Sequence, residues 1–469
     1  MIEILNYLKI GAGVVLLFGA AIFVHEFGHY WVARRRGMKV EAFAIGFGPK
    51  IFGWVRDGIE YSVRWIPAGG FVKLPQMVTS TAIEGEASQE EIPPAPPLSK
   101  ILVAVAGPFM NVAFAFAIAS VIFWVGLPVP VNPSIIGYVE PGTPEAALGI
   151  RDGDEIVAVN GKPVKSWEDV NNVTALALTN VLPVAIKREG KTNTYLLKAA
   201  ANEAPEVKSL IDLKTLNLSP RDLLIVKSIN AGSAAEKAHL QTNDEIVSFA
   251  GVPISGIKQL TNLLQKCAGH PTPLVVKRGG ERPTLSVTPA MEMTAKKGRL
   301  GVNFGYGKDV YVLEHPTPMA QITEVLDQLT STISALVHSH SSGVKASDLA
   351  GPVGIISFLA VKVNTDYRLA LGFLVMLNIN LAIINMLPIP VLDGGHIMMA
   401  VLERIRRRPL DVRVVEYTTT VFALLLISFM LYVTFFDLRR LPLIRVLFSQ
   451  ESQIEQPAKP APHPPSPGQ

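Results

Sequence analysis

The sequence predicts a polytopic α-helical membrane protein with four transmembrane helices, two inserted α+β domains and a membrane-associated β-hairpin region. Three observations support this fold class. Apolar side chains make up 49% of the 469 residues, and charged ones only 17%, as is typical of a membrane protein with soluble parts. Four apolar stretches are long enough to cross a hydrocarbon core. Between the second and third stretches lies a polar region with an internal repeat.

Charge and cysteine content exclude several classes of protein. The formal net charge is only +4, and the basic residues cluster beside apolar stretches, which indicates no nucleic-acid partner. The single cysteine, Cys267, excludes an internal disulfide framework and a zinc site built from several cysteines. The N-terminus lacks a strongly basic start, and no small-residue cleavage site follows the first apolar stretch. We therefore expect a retained anchor and not a removed signal peptide.

The first apolar stretch, residues 10–33, contains the motif HEFGH at residues 25–29. His25 and His29 are four residues apart, so a helix would place both imidazoles on one face, where they can bind one metal ion. Glu26 could reach water at that metal without being a ligand. Ionisable groups at the centre of a membrane helix cost about 2.5 to 3.5 kcal/mol or more each, so three together indicate a function.

Two other interpretations of this motif were weighed. One is a chance occurrence on a soluble helix, and the other is a soluble zinc protease whose motif lies on a buried core helix. Such a helix should be shorter and amphipathic, whereas this stretch is apolar on all faces. The basic cluster of Arg34, Arg35, Arg36 and Lys39 then places this end of the span on the cytoplasmic side.

Nine segments follow from the patterns along the chain. They are a first transmembrane helix with the HEFGH motif, a membrane-associated β-hairpin region with an acidic loop, a second transmembrane helix, two repeated domains, a linker with membrane-surface amphipathic helices, a third and a fourth transmembrane segment, and a disordered Pro-rich tail. In chain order their bounds are 1–39, 40–98, 99–128, 129–208, 209–293, 294–366, 367–408, 409–440 and 441–469.

The region after the first span reads as β-strands. Residues 40–74 contain alternating apolar and polar side chains, and residues 67–70 (PAGG) predict a turn. One interpretation is an ordinary cytoplasmic hairpin, and the other is an open strand edge near the metal, onto which an extended substrate could add. Residues 75–98 are rich in glutamate and proline and predict a mobile acidic loop.

The second and fourth spans carry less chemistry. Asn111 lies in the second span, at about residues 101–126, and predicts a helix–helix hydrogen bond in place of a catalytic role. The fourth span, at about residues 414–436, should return to the outer side. Arg439, Arg440 and Arg445 would then lie on the side that the positive-inside rule disfavours.

The polar region contains two copies of one pattern. The segment that begins at Pro141 aligns without gaps with the segment that begins at Ala231, 90 residues later, and Asp-Glu-Ile-Val recurs at residues 154–157 and 244–247. Two copies predict two similar domains and not a solenoid. They resemble PDZ domains, which bind peptides by strand addition. Cys267 should be a small buried residue of the second copy.

Residues 316–350 include an amphipathic stretch, QITEVLDQLTSTISALV. It predicts a helix that lies along the membrane surface. A soluble helix packed on the repeated domains is the alternative.

The third span, at about residues 369–392, supplies a second polar group at membrane depth. Pro388 and Pro390 break the helix just before Asp393, and a broken helix is tolerated there only beside a cavity or packed protein. A catalytic zinc ion takes three protein ligands and leaves one position for water, so Asp393 would complete a set with the two histidines of the first span. His396 is the rival ligand, ranked lower because a carboxylate balances the charge of the metal.

These motifs together resemble the bacterial site-2 protease family of intramembrane zinc metalloproteases, and most of all its subgroup with tandem PDZ domains. The resemblance covers nearly the whole chain. It is carried by HEFGH at 25–29, GFGP at 46–49, GGFVK at 69–73, AGPFMN at 106–111, both repeats, Gly351-Pro352 and NMLPIPVLDGG at 385–395. The acidic and Pro-rich insertion after Leu74 departs from the family pattern.

The resemblance implies a site and a mechanism. One Zn²⁺ ion per chain would be bound by His25, His29 and Asp393, and Glu26 would be the general base. The activity would be that of an intramembrane zinc metalloendopeptidase of the site-2 protease type.

The resemblance also implies how substrates are held. Asn385 would contact the substrate backbone, and the strand with Gly69, Gly70 and Phe71 would clamp the unwound substrate. Substrates would be single-span membrane proteins, such as an anti-sigma factor already trimmed on its outer side, cut within the transmembrane segment in regulated intramembrane proteolysis.

The implied location is the lipid bilayer of the bacterial inner membrane. The PDZ domains would lie on the periplasmic side, where they would exclude large substrates or bind peptide ligands. Two other function classes stay open on the residues alone: a membrane-anchored PDZ scaffold with an inactive site, and a metal transporter.

Overall fold

The computed structural model describes residues 2–77, 93, 95–130, 133–201, 214–292, 297–306, 311–408 and 410–450. The chain forms two compact units. Of the described residues, the first unit comprises those up to Pro128, Leu313–Thr330 and those from Ala346 to Gln450, and the second comprises those within Val129–Val312 and Ser331–Lys345. Most of the acidic loop expected at 75–98 and most of the tail expected at 441–469 lie outside the described residues.

The described α-helices are numbered in chain order. They are α1 (Ile2–Arg35), α2 (Pro97–Val125), α3 (Pro144–Ala147), α4 (Trp167–Ala175), α5 (Ala234–Lys237), α6 (Ile257–Lys266), α7 (Pro318–Val337), α8 (Ser339–Ser342), α9 (Pro352–Thr365), α10 (Tyr367–Asn385), α11 (Asp393–Arg406) and α12 (Val412–Gln450).

The described strands are numbered in the same way. They are β1 (Ala42–Arg56), β2 (Ile59–Lys73), β3 (Leu127–Pro130), β4 (Ile136–Tyr138), β5 (Glu155–Val159), β6 (Lys162–Pro163), β7 (Val181–Arg188), β8 (Lys191–Ala201), β9 (Lys214–Leu216), β10 (Ser219–Pro220), β11 (Leu224–Ile229), β12 (Glu245–Phe249), β13 (Val252–Pro253), β14 (Thr272–Lys277), β15 (Thr284–Val287), β16 (Ala290–Glu292), β17 (Lys297–Arg299), β18 (Val302–Tyr306) and β19 (Tyr311–Glu314).

Among the described residues, five helical segments are long and apolar enough to cross a membrane, judged by length and composition. They are Leu5–Arg35, Pro97–Val125, Ala346–Thr365, Tyr367–Asn385 and Arg413–Leu441. The sequence predicted four spans, and the additional segment is Ala346–Thr365. Its regular part, α9, has only 14 residues, fewer than the roughly 20 by which a span is recognised. It therefore fell within the linker expected at 294–366.

The fourth of these segments ends where the sequence places its prolines. Helix α10 stops at Asn385, and α11 begins at Asp393, because Pro388 and Pro390 have no N–H to continue a helical ladder. The chain then turns so tightly that Gly394 packs against the carbonyls of residues 386 and 387 and Gly395 against that of residue 389. Any Cβ at either glycine would overlap these oxygens, so the turn that positions Asp393 requires both glycines.

The hairpin region reverses direction twice between residues 56 and 70. Residues 60–63 run parallel to residues 42–45, whereas residues 70–73 run antiparallel to them, so the chain reverses between Val63 and Gly70, where the sequence predicted the turn at 67–70. A second, tight hairpin turn, which the sequence analysis did not predict, lies at Asp57–Gly58. Both residues have positive φ, 53° for Asp57 and 73° for Gly58. This conformation suits Asp-Gly in a two-residue hairpin turn, because glycine pays no steric penalty there and aspartate tolerates it.

The start of β1 is paired on both sides by segments of β2. Ala42, Phe43, Ala44 and Ile45 pair with residues 60–63 and also with residues 70–73. Residues 52–56 complete the tight hairpin with residues 59–63. Residues 70–73 are therefore paired with β1 on one side only, and they form an edge of this small sheet among the described residues.

The last helix extends further than expected. Residues 441–450 were assigned to the disordered tail, but α12 continues to Gln450. The dense run of prolines that marks the tail begins only at Pro457, so no cluster of helix breakers ends the helix at 441.

The second unit contains the internal repeat as two similar folds. In the first copy, Glu155 pairs with Lys187 and Val159 with Val184. In the second, Glu245 pairs with Lys277 and Phe249 with Leu274, which is the same register 90 residues later. Each copy has its own apolar core, with Ile136, Ile156, Leu182 and Leu197 in the first and Leu224, Phe249, Leu260 and Leu274 in the second.

A buried aspartate recurs in both copies. Arg188 donates to Asp154 at 2.6 Å through Nε, and Arg278 donates to Asp244 at 2.7 Å through Nε. Both carboxyl groups are almost fully buried. Burial raises the pKa of each, but the hydrogen bonds from the arginine and from a backbone N–H outweigh burial and hold the pKa below its ordinary value.

Replacing Asp154 with Asn should destabilise the first copy selectively, because Arg188 would lose its charged partner. We expect the free energy of opening for the amides of Val181–Arg188 to fall by about 1.5 to 3 kcal/mol. Amide hydrogen exchange on the full chain measures this, and the amides of Thr272–Lys277 in the second copy should not change.

Glu155→Gln is the matched control for this variant. Glu155 pairs with Lys187 at 3.5 Å with both side chains 46% exposed, and exposed pairs contribute about 0 to 1 kcal/mol.

The contribution of Asp154 to stability should depend on pH, because folding lowers the pKa of its carboxyl group. This contribution is full above the pKa of the unfolded state, about 3.9, and is lost as the pH falls through the lowered pKa of the folded state. Equal protection in Asp154→Asn and wild type would contradict this account.

Candidate metal centre

The centre begins with two histidines on α1. Their four-residue spacing places both rings on one helix face, with ring centroids 4.8 Å apart. The Nε2 atoms of His25 and His29 lie 3.2 Å from each other, and both residues are buried. The sequence predicted this juxtaposition, and the structure brings the two nitrogens together.

Asp393 reaches the same point from the N-terminus of α11. Its Oδ2 lies 3.4 Å from His25 Nε2, and its Oδ1 lies 3.4 Å from His29 Nε2. Within the described part of the chain, these three residues form the one group of His, Cys, Asp and Glu side chains close enough to share a metal ion. The rival candidate His396 is not in this group.

The separations suit a tetrahedral cation. Zinc holds nitrogen and oxygen ligands at about 2.0 to 2.2 Å, so its tetrahedral ligands lie about 3.3 to 3.6 Å from one another. The two imidazole nitrogens lie 3.2 Å apart, and each lies 3.4 Å from a different oxygen of Asp393. With one ligand atom taken from each residue, all three atoms lie within 4.8 Å of one another. In addition, the buried Oδ2 of Asp393 accepts no hydrogen bond from the described residues. A buried carboxylate oxygen of this kind needs a cation, so the residues present fit the metal.

Helix α2 fixes the orientation of both rings. His29 Nδ1 lies 2.8 Å from the carbonyl oxygen of Val103. A carbonyl only accepts, so Nδ1 carries the proton and Nε2 of the neutral ring offers its lone pair to the metal. A backbone carbonyl has no sequence signal, and sequence reasoning did not find this contact.

Asn111 orients the other histidine. Its amide Nδ2 lies 3.1 Å from His25 Nδ1, and its buried Oδ1 has no partner in this orientation. The oxygen and nitrogen of an amide are assigned and not distinguished by shape, and the opposite assignment lets His25 Nδ1–H donate to Oδ1. The sequence predicted a helix–helix hydrogen bond for Asn111, and its partner proves to be a histidine of the centre.

Two glycines allow α1 and α2 to approach closely. A Cβ at Gly107 of α2 would overlap the ring of His29, and a Cβ at Gly28 of α1 would overlap the backbone of Ala106. Both positions lie inside apolar helices, where glycine weakens the helix relative to alanine by about 1 kcal/mol. The close approach of the rings to the backbone of α2 requires them.

Glu26 lies between the centre and the edge of the sheet. It is buried, and it follows His25 directly in the chain. A Cβ placed at Gly70 of β2 would lie 2.8 Å from Glu26 Cγ and 2.7 Å from the carbonyl oxygen of Ala44. Strand edge, carboxylate and ligand cluster are thus contiguous, as the interpretation with an open strand edge predicted.

The other predicted substrate-binding residues differ in their surroundings. Asn385 lies at the end of α10 with its Nδ2 3.4 Å from His25 Nε2, so its amide faces the centre. Gly69 has a φ of 150° and abuts the ring of Phe47. Phe71 is only 7% exposed and packs on Phe47, so its backbone, and not its side chain, is available at the strand edge.

The sequence is similar over most of its length to a known peptidase family and to several of its relatives. The sequence profile of Peptidase family M50 matches residues 13–429. A putative zinc metalloprotease of Vibrio cholerae is 31% identical over 451 residues, covering 91% of this chain and 98% of that protein. The regulator of sigma-E protease RseP of Escherichia coli is 28% identical over 454 residues, covering 93% of this chain and 100% of that protein. Its counterpart in Salmonella typhimurium is 29% identical over 448 residues, covering 92% and 98%.

The match extends across both the helices of the centre and the repeated domains between them, and it agrees with the resemblance expected from the motifs. The relatives are named as zinc metalloproteases or as regulators of sigma-E that are proteases. The chain belongs to peptidase family M50, the site-2 proteases, and is a metalloprotease.

Proposed function

We propose that this protein is a zinc-dependent intramembrane endopeptidase that cuts single-span membrane proteins within their transmembrane segment. The observation that carries the proposal is the ligand cluster itself. Two helices of the unit that contains the five candidate spans supply two imidazole nitrogens 3.2 Å apart and a carboxylate whose two oxygens each lie 3.4 Å from one of these nitrogens. Glu26 and an edge strand adjoin the cluster.

We assign one zinc ion per chain to His25, His29 and Asp393. When bound there, zinc supplies Lewis acidity that polarises a carbonyl group and brings the pKa of water from about 15.7 to about 7. The protein groups hold the ligands in place: Val103 and Asn111 orient the two imidazoles, and the tight turn at Gly394 and Gly395 presents the carboxylate of Asp393.

Glu26 is assigned the proton transfers. As a carboxylate, it takes a proton from the attacking water and gives it to the amide nitrogen of the departing chain, a role typically worth about 10² to 10⁴ in rate. The Asn385 amide would donate a hydrogen bond to the substrate backbone beside the metal. Glu26 is buried and Asn385 is partly buried, and exclusion of bulk water strengthens such interactions.

The edge of β2 is assigned the binding of the substrate backbone. A helical substrate hides its carbonyls in its own hydrogen bonds, so it must unwind before it is cut. An unwound segment can pair with residues 70–73, whose outer edge is unpaired among the described residues. Since Gly70 abuts Glu26, pairing there would place a peptide bond beside the general base.

The cellular setting is also part of the proposal. The protein would lie in the bacterial inner membrane, with the two repeated domains on the periplasmic side. As PDZ domains they would bind peptides or exclude substrates with large outer domains. Substrates would be proteins already trimmed outside, such as an anti-sigma factor. The names of the relatives, which are regulators of sigma-E, support this class of substrate.

The two alternative functions make different predictions. An inactive scaffold would tolerate the loss of Glu26, and a metal transporter would need polar groups along a route. Within the described residues, the candidate ligands converge on one point and adjoin a strand edge. This arrangement supports proteolysis.

Loss of a ligand should abolish metal binding. We expect His25→Ala and Asp393→Ala to purify with no zinc, measured by elemental analysis of protein in detergent. His315→Ala is the matched control, because His315 also binds a backbone carbonyl, that of Phe123 at 2.8 Å, but is outside the cluster. Full zinc content in either ligand variant would contradict the assignment.

Loss of the general base should separate metal binding from turnover. Glu26→Gln keeps the size of the side chain but cannot accept the proton, so zinc content should stay at the wild-type level while kcat falls about 10² to 10⁴-fold. The assay is cleavage of a model single-span protein with a trimmed outer domain. Wild-type activity in Glu26→Gln would exclude this mechanism and support the scaffold.

A methyl group at the strand edge should also impair turnover. In Gly70→Ala the new Cβ would meet Glu26 Cγ and the backbone of Ala44, so the strand must shift relative to the base. We expect a lower kcat with zinc content unchanged. Gly19→Ala is the control, since a Cβ there meets nothing within 4 Å. Equal activity of the two variants would show that the strand edge has no part in the reaction.

A further inference from the structure

A buried ion pair joins α2 to α11 outside the metal centre. Lys100 Nζ lies 2.8 Å from Glu403 Oε2, and each side chain is only 10% exposed. The two residues are 303 positions apart in the chain. We call this pair the α2–α11 clasp. It contacts none of the proposed ligands, so the mechanism described above does not use it.

The clasp lies at one end of a helix whose other end carries Asp393. Asp393, His396, Ala400 and Glu403 are spaced by three, four and three residues, so they share one face of α11. Helix α11 packs on α2, and Glu403 of this face contacts Lys100 of α2. Ten residues separate Asp393 from Glu403, which is about 15 Å along a helix. The clasp therefore lies at the end of α11 opposite to Asp393, the third proposed ligand.

Both histidines are oriented by contacts with the same helix, α2. Val103 of α2 accepts from His29, and Asn111 of α2 contacts His25. Within the described part of the chain, Asp393 makes no hydrogen bond to α2, so its place relative to the histidines depends on the position of α11 along α2. Among the described residues, the clasp is the hydrogen-bonded ion pair that joins α11 to α2.

Neighbouring residues at the start of α2 hold α1 as well. Arg36, next to the end of α1, donates to Ser99 Oγ through Nε at 3.1 Å and through Nη2 at 3.0 Å. Ser99 and Lys100 are adjacent, so the elements that supply all three ligands are tied to one turn of α2. Glu403 also accepts from the backbone N–H of Leu410 at 3.4 Å, which holds the chain that leaves α11.

An ion pair suits this task better than an apolar contact. Burying two charges is favourable only if their geometry is well met, because desolvation opposes it. An apolar contact tolerates sliding of one helix along the other, whereas a charged hydrogen bond of 2.8 Å does not. A pair that is costly to bury is retained where a fixed register matters.

We propose that Lys100 and Glu403 are positioning residues that set the register of α11 on α2 and thereby the place of Asp393 in the metal centre. The proposal rests on the proposed function in that it takes Asp393 as a ligand. It predicts that breaking the clasp alters the geometry and affinity of the metal site without removing any ligand.

The test uses Co²⁺ as the metal probe on the full chain in detergent. Visible absorption reports the coordination geometry, and titration gives the Kd. In Lys100→Met and Glu403→Gln we expect a shifted band and an affinity about tenfold weaker, the lower end of the loss seen when supporting contacts of ligands are removed. The charge-reversed double variant K100E/E403K should recover both values, because it restores the pair.

Arg368→Met is the matched control. Arg368 and Asp366 form an ion pair of 2.7 Å with side chains 14% and 9% exposed, comparable with the clasp. They lie at the start of α10, and among the described residues neither side chain hydrogen-bonds to α2 or α11. Its loss should lower thermal stability and leave the Co²⁺ band and Kd unchanged. An equal change in Arg368→Met would show general loosening and overturn the proposal.

Further outcomes are equally decisive. An unchanged band and Kd in folded Lys100→Met and Glu403→Gln would overturn the positioning role while leaving the proposed protease intact. If these variants do not fold, Lys100→Arg and Glu403→Asp keep the charges and change the length of the pair, and unchanged metal binding in both would overturn it. A wild type without Co²⁺ bands would overturn the metal centre itself, together with this proposal.

Discussion

The structure depends on compensating a buried carboxylate at the junction of apolar helices. The two oxygens of Asp393 lie near different imidazoles, Oδ2 at 3.4 Å from His25 Nε2 and Oδ1 at 3.4 Å from His29 Nε2, in a unit that contains helices apolar enough to span a membrane. Neutral imidazoles with their lone pairs directed at a carboxylate would repel it, so the arrangement is stable only around a cation. Three features hold this cluster: the break after α10 at Pro388 and Pro390, the turn at Gly394 and Gly395, and the polar contacts of α2.

Helix α2 supplies no ligand, but its contacts orient the residues of the cluster. It accepts the hydrogen bond from His29, contacts His25, and offers Gly107 so that the rings can lie against its backbone. Its first turn also binds Arg36 and Glu403. These contacts orient the ligand residues before the substrate arrives. Preorganised sites gain their catalytic effect in this way. The proposed pairing of the substrate with the edge strand next to Glu26 would extend the same principle to the substrate backbone.

The sequence predicted the parts of the site that leave a residue pattern. His25 and His29 follow from helical spacing, and Asp393 follows from prolines beside a lone carboxylate at membrane depth. The carbonyl of Val103 leaves no such pattern, and the role of the clasp emerges only when residues 303 positions apart meet. The chain reverses near PAGG, as its turn residues predicted, but the second reversal at Asp57–Gly58 was not predicted, although Asp-Gly also carries turn residues. Segment Ala346–Thr365 was missed because its regular helix is short.

The central claim is that hydrolysis takes place at membrane depth. Its most direct test is to map the cleaved bond by mass spectrometry after the purified protein cuts a single-span substrate in lipid vesicles. The account predicts new termini inside the apolar span, favoured where helix-breaking residues ease unwinding, and none in the Glu26→Gln protein. Cleavage confined to soluble segments of the substrate would contradict the account, since the cluster among apolar helices would then serve a reaction that needs no membrane.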